Sequence, residues 1–149
     1  MRALQRIIKF IRLPLKEKLL MGEASVLLLW YSILIYVIPF QWWEFKIGKK
    51  MQPIKKASLD DYQKIEIINI RKAAFHANKL LLGIGKCFAM SLTLKRMLKC
   101  RGINPSLLIG FQKYKENHFI AHAWLQYDDT LLYGGNNLNE FYKECIIYT

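Results

Sequence analysis

Cysteine is scarce in this chain, and none of it is arranged in a pair. The 149 residues hold three cysteines, Cys87, Cys100 and Cys145, with no CxxC spacing. An odd, sparse count excludes a secreted disulfide framework, and the missing CxxC argues against a zinc site of that type. Acidic residues are also few, with 11 Asp and Glu against 23 Lys and Arg, a net charge of +12. Residues 1–20 are the extreme case, where Arg2, Arg6, Lys9, Arg12, Lys16 and Lys18 face Glu17 alone. This balance favours acidic partners: nucleic acid, an anionic membrane or an acidic peptide. Nucleic acid is disfavoured in turn, because the basic residues are scattered and no aromatic-rich motif of an RNA-binding sheet is present. No small-residue cleavage site follows the apolar run, which ends in Pro39-Phe40-Gln41-Trp42-Trp43. A secretory signal is therefore disfavoured, and the reducing cytoplasm is the expected compartment. Internal repeats and low-complexity tracts are absent.

Hydrophobic residues make up 53% of the chain, which suits one folded domain with a modest core. Residues 1–149 read as that domain, with a basic and hydrophobic helical part over 1–56 and a core over 57–149. Leu4, Ile7, Ile8, Ile11 and Leu15 fall at helical spacing, interrupted by Pro14. Residues 24–43 carry no charge and are about as long as a membrane helix must be. Pro39 interrupts the run, and Ser25, Tyr31, Ser32 and Tyr36 lower its apolarity, so a buried or surface-docked helix is preferred to a span. A real span is the alternative, membrane-surface contact is a further candidate interaction, and the flanking basic residues fit the positive-inside rule as well as simple solubility.

A basic loop follows over 46–60, its basic residues lying between Lys46 and Lys56. Ser58-Leu59-Asp60-Asp61 reads as a helix start, and Ile65, Ile68, Ile70, Ala73 and Ala74 carry the helix to about Leu82. After Gly83–Gly85, a second helix spans Cys87 to Lys99. Met90, Leu94, Met97 and Leu98 lie on one face and Lys95, Arg96 and Lys99 on the other, with Gly102 as C-cap. The rest reads as a short strand at Leu107–Phe111, a polar hairpin over Gln112–Asn117, a strand over 118–127, a turn at Asp128-Asp129 and a strand over Thr130–Tyr133. A Gly-Gly-Asn-Asn loop and a last short helix or strand close the chain. Helices first and antiparallel strands last make the fold class α+β.

Two residues carry candidate chemistry. Cys87 follows Gly83-Ile84-Gly85-Lys86 and opens a helix, where free N–H groups and the helix dipole favour a thiolate. The plain alternative is an inert buried cysteine. Cys100 and Cys145 have no Gly-rich approach and read as structural. His122 lies between Ala121 and Ala123 on a strand, and such small neighbours leave room for another element to approach the ring. Its plain alternative is a core histidine bonded to a backbone carbonyl. His118 and His122, four apart on a strand, would be about 13 Å apart at ~3.3 Å per residue, too far to share one metal ion. His76 has no partner in view. A Cys–His pair needs a third group to orient the imidazole, and Asp128, Asp129, Asn136 and Asn137 are the candidates downstream.

Cys on a helix followed by His on a strand is the order of transglutaminase-like and papain-like cysteine enzymes. In more detail, Cys87-x3-Ser91-Leu92, Arg101-Gly102-Ile103, Leu108-Ile109-Gly110 and Ala121-His122-Ala123-Trp124 resemble the lasso peptide leader peptidases, bacterial proteins of the transglutaminase-like cysteine protease superfamily. The basic segment, the hydrophobic helix ending in Pro39-Phe40 and the following Ile47-Gly48 fit the same layout, so the resemblance covers nearly the whole chain. It implies a transglutaminase/papain-like core in which Cys87 is the nucleophile and His122 the base, with no cofactor and no metal. It also implies partners: a ribosomally made precursor peptide, a small leader-recognition protein and an ATP-dependent lasso cyclase. The family often has Asp after the third strand, where Gly134 stands here. Other readings are a transglutaminase-type acyl transferase and a non-catalytic, membrane-attached interaction protein.

Overall fold

Pro14 and Pro39 bracket the first helix. The computed structural model describes residues 13–47, 58–115, 118–128, 130–135 and 144–149. The helical spacing at 4–11, most of the basic loop, Asp129, Asn136 and Asn137 lie outside these. Helix α1 (Leu15–Val37) starts directly after Pro14, which occupies its N-cap. Proline costs nothing there because the first N–H groups of a helix lack intrahelical acceptors anyway. Two short 3-10 turns, Phe40–Trp42 and Glu44–Lys46, follow Pro39.

Helix α1 is apolar on both sides. Leu20, Met21, Ala24, Leu28 and Ser32 form a buried inner stripe. Leu15, Leu19, Val26, Leu29, Trp30, Ile33, Tyr36 and Val37 form an exposed outer one. By length and composition alone it could cross a membrane, with a mean hydropathy of 1.7, although 28% of that window is buried inside the fold. The inner stripe packs on α2 (Asp61–Leu80) and α3 (Cys87–Lys99).

Helix α2 begins as its sequence implies. The Asp60 carboxylate accepts from the Gln63 N–H, and the Gln63 side chain accepts from the Asp60 N–H, completing a capping box. Glu66 is buried between α1 and the end of α3. Lys16 donates to it at 3.0 Å and Arg101 Nε lies 3.3 Å away, while Arg101 also grips Glu23 through both terminal nitrogens. Arg101 thus ties three helices together, and the buried carboxylate is paired, without which it would be costly. Its guanidinium pKa is raised further, first by the Glu23 hydrogen bond. Helix α3 ends in a Schellman pattern: the Ile103 N–H reaches Leu98 O, the Gly102 N–H reaches Lys99 O, and Gly102 takes φ +76°.

One residue of α3 departs from the expected amphipathic pattern. Lys95 is not on a solvated face but only 4% exposed. Its ammonium donates to Pro105 O at 2.8 Å and Tyr148 O at 3.1 Å, pinning α3 to the entry of the first strand and to the last strand. Tertiary acceptors override the helical-wheel position here.

The sheet has the order β3-β2-β1-β4. Strand β1 spans Ser106–Lys115, β2 His118–Tyr127, β3 Thr130–Tyr133 and β4 Glu144–Tyr148. The polar residues Gln112–Lys115 belong to β1 rather than to a loop, because ladder pairing continues to Lys115 opposite His118. The final element is a strand, antiparallel to β1. Helix α3 packs on β2 and β1, and the Tyr148 hydroxyl donates to Glu44 at 2.5 Å, fastening the segment after α1 to the edge of the sheet. One core cluster runs from Leu20 to Tyr148, so the architecture is α+β with the sheet backed by helices.

Candidate active site

The approach to Cys87 is a glycine loop with two distinct demands. Leu82 and Gly83 both take left-handed φ, +57° and +75°, which reverses the chain after α2. Gly85 is buried, and a Cβ there would lie 2.6 Å from Leu28 and 3.0 Å from Asn78. Asn78 holds the loop at two points: Gly85 N–H donates to its Oδ1 at 2.9 Å, and its Nδ2 donates to Gly85 O at 3.0 Å. Lys86 then takes extended backbone as N-cap, and Cys87 is the first residue of α3, half-buried. The Lys86 ammonium lies 5.9 Å over the Tyr36 ring.

Strand β2 supplies His122, which stands opposite Gly110 of β1. The ring stacks on Trp124 with centroids 6.5 Å apart. Its Nε2 lies 2.9 Å from Gly134 O. A carbonyl only accepts, so Nε2 carries the proton and Nδ1 is the acceptor nitrogen of the neutral ring. Gly134 takes φ +120°, and a Cβ on it would run into Trp124. Only glycine fits that position. The backbone bond that stood as the plain alternative for His122 is thus present, on a ring that shares a cavity with Cys87.

That cavity has a volume of about 260 Å³ and is lined by Cys87, His122, Ala121 and Ala123 together with Ile35, Phe40, Trp43, Phe88 and Ile109. Ser91, one turn after Cys87 and fully buried, donates to Ala123 O at 3.2 Å. The Cys-x3-Ser spacing therefore bolts the cysteine helix to the histidine strand next to His122. Tyr133 stands near as well: burial, and then the charge of a Cys87 thiolate, hold its phenol above the ordinary value, so it stays a neutral donor.

The other candidates do not gather here. Cys100 is exposed at the end of α3, not packed into the core as a structural cysteine would be. His76 is exposed on α2. Asp128 is an exposed turn residue with φ +51°. The Cys145 and His118 side chains, Asp129, Asn136 and Asn137 fall outside what is described. Among the described residues, no three His, Cys, Asp or Glu side chains group to hold a metal ion. Sequence reading gave no role to Asn78, Ser91, Tyr133 or the Phe40–Trp43 pair. Ser91 had a signal in the Cys-x3-Ser spacing, and Phe40 in the Pro39-Phe40 end of the hydrophobic helix.

A family match decides the broader assignment. The transglutaminase-like superfamily matches residues 34–146, most of the chain. The chain belongs to the transglutaminase-like superfamily. No curated protein and no solved structure matches it. The superfamily match begins within α1, takes in the Phe40–Trp43 segment, both walls of the cavity and strands β1 to β3, and ends within β4. Membership supports activity of the cysteine-protease or acyl-transfer type.

Proposed function

We propose that this protein is a cysteine peptidase that removes the leader from a ribosomally made lasso precursor before macrolactam cyclisation. The observation that carries the chemistry is that Cys87, at a helix start, and His122, oriented through Nε2, line one cavity in a transglutaminase-like chain. The lasso assignment rests on the likeness of Cys87-x3-Ser91-Leu92 and Ala121-His122-Ala123-Trp124 to the leader peptidases.

In this reading His122 Nδ1 takes the Cys87 proton, and the thiolate attacks the carbonyl of the last leader residue. Backbone N–H groups at the start of α3 receive the developing oxyanion, with the Tyr133 hydroxyl as a second candidate donor. The imidazolium protonates the departing amine, leaving a thioester on Cys87. Water, deprotonated by His122, then clears the acyl-enzyme. The scheme needs protein groups and water alone. Transfer to an amine in place of water would use the same thioester, which makes transglutaminase-type activity the second reading.

The proposed partners are the precursor, a small leader-recognition protein that delivers it and the ATP-dependent cyclase that consumes the product. A thiol nucleophile works reduced, which suits the cytoplasm. Incubation with the precursor tests the assignment. A released leader that carries one added water supports hydrolysis. Release only when an amine acceptor is present, with the leader amidated, favours transfer.

A further inference from the structure

We infer that the cavity beside Cys87 is a subsite for one bulky apolar side chain of the acyl-donor peptide, next to the carbonyl that Cys87 attacks. This rests on the peptidase reading above and adds a substrate class to it. Its walls are Ile35, Phe40, Trp43, Phe88 and Ile109, and among the described lining residues Cys87 and His122 carry the polar side chains apart from the Trp43 indole. Three rings form one wall: Phe40 meets Trp43 edge-on at 5.1 Å, and Phe88 lies 5.8 Å from Phe40 and 5.9 Å from Trp43. Trp43 is fixed from behind, since its indole N–H donates to Ile38 O at 3.2 Å.

Size selects the occupant. Pockets for whole small-molecule ligands run to roughly 300–1,000 Å³, and a cavity of about 260 Å³ is nearer to one large side chain. Chemistry selects it too, because a charged or amide side chain would lose its water and find no partner on these walls. The aromatic wall comes from the segment between α1 and the basic loop, and Phe88 directly follows the nucleophile. Side-chain seating would therefore align the adjacent carbonyl over Cys87, and the segment after α1 acts in substrate selection as well as in packing.

Affinity labelling of the full chain tests this. Cys87 displaces chloride from a peptidyl chloromethyl ketone, forming a C–S bond. Acetyl-phenylalanyl chloromethyl ketone is expected to label Cys87 at least tenfold faster than acetyl-glycyl chloromethyl ketone. Phe40→Ala and Ile35→Gln should each cut that preference to threefold or less while leaving iodoacetamide labelling of Cys87 within twofold of the parent. These are half-buried positions, and circular dichroism checks the fold. Equal rates for the two ketones, with iodoacetamide labelling intact, would overturn the subsite alone. Iodoacetamide labelling no faster at Cys87 than at exposed Cys100, resolved by peptide mapping, would overturn the peptidase reading and the subsite with it.

Discussion

The His122 ring donates through Nε2 to the carbonyl oxygen of Gly134 at 2.9 Å. The resemblance to the leader peptidases implies an Asp at this place, whereas here the main chain supplies the acceptor. A carbonyl fixes tautomer and ring direction as a carboxylate does, but it brings no charge to stabilise an imidazolium.

Gly134→Ala is expected to lower leader cleavage at least tenfold. Its Cβ would meet Trp124, with 2.9 Å to the Trp124 Cα, at a φ of +120° that disfavours alanine, so the loop must move and take the carbonyl from His122. The pH–rate profile should shift with the rate, since the base itself is disturbed. Asn136→Ala should keep most activity. Parental kinetics in Gly134→Ala would place the orienting group elsewhere.

Ser91→Ala removes the hydrogen bond from α3 to the Ala123 carbonyl, a buried bond of 3.2 Å. Chemical denaturation should show a loss of about 1–2 kcal/mol. Activity should fall beyond what the unfolded fraction accounts for, because the bond sets the distance from the cysteine helix to the histidine strand. A stability loss with unchanged turnover would reduce Ser91 to a packing residue.

Stability should decline as pH rises past 10. The Tyr148 phenol is held above its ordinary value of 10.0 by burial and by Glu44. Below pH 10 both folded and unfolded forms are neutral, so the fold loses nothing. Above it the unfolded chain ionises first and binds fewer protons, which draws the equilibrium toward unfolding. Thermal melts between pH 8 and 11 should show a shallower decline for Tyr148→Phe than for the parent. Identical slopes would argue against the Glu44 contact.

Membrane insertion should fail for this chain. Spanning would pull Ala24 and Leu28, both fully buried, out of the core. The outer stripe predisposes the isolated chain to poor solubility and to peripheral association. Carbonate washing is therefore expected to release it from membranes. Retention after the wash, with the proposed partners co-expressed, would mean that α1 spans.

Local signals in the sequence gave most of the fold. The Asp60 cap, the Cys87–Lys99 helix, the strands at 118–127 and 130–133 and the Gly102 stop rest on short-range chemistry, and each is present. Elements whose partners lie far along the chain were not legible. The 23-residue α1 begins at Leu15, in the basic segment, because its inner face packs on α2 and α3. The polar Gln112–Lys115 stretch is strand because β2 pairs with it. Lys95 is buried by two carbonyls, ten and 53 residues away. The site divides similarly: the Gly-led thiol and the Ala-flanked histidine stand out in one dimension, whereas Asn78, Tyr133, the Phe40–Trp43 wall and the Gly134 carbonyl acquire meaning only once the chain is folded. A backbone acceptor leaves no side chain to read.

The central claim is that Cys87 carries the acyl group with His122 as its base. The direct measurement is acid-quenched intact-mass analysis of the protein mixed with its precursor, followed by peptide mapping. A leader-mass thioester on Cys87 is expected in the parent and in Cys100→Ala and Cys145→Ala. It should be absent in Cys87→Ala and strongly reduced in His122→Ala, while His76→Ala and His118→Ala retain it. Leader cleavage at the parental rate by Cys87→Ala, or an adduct on another cysteine, would contradict the account.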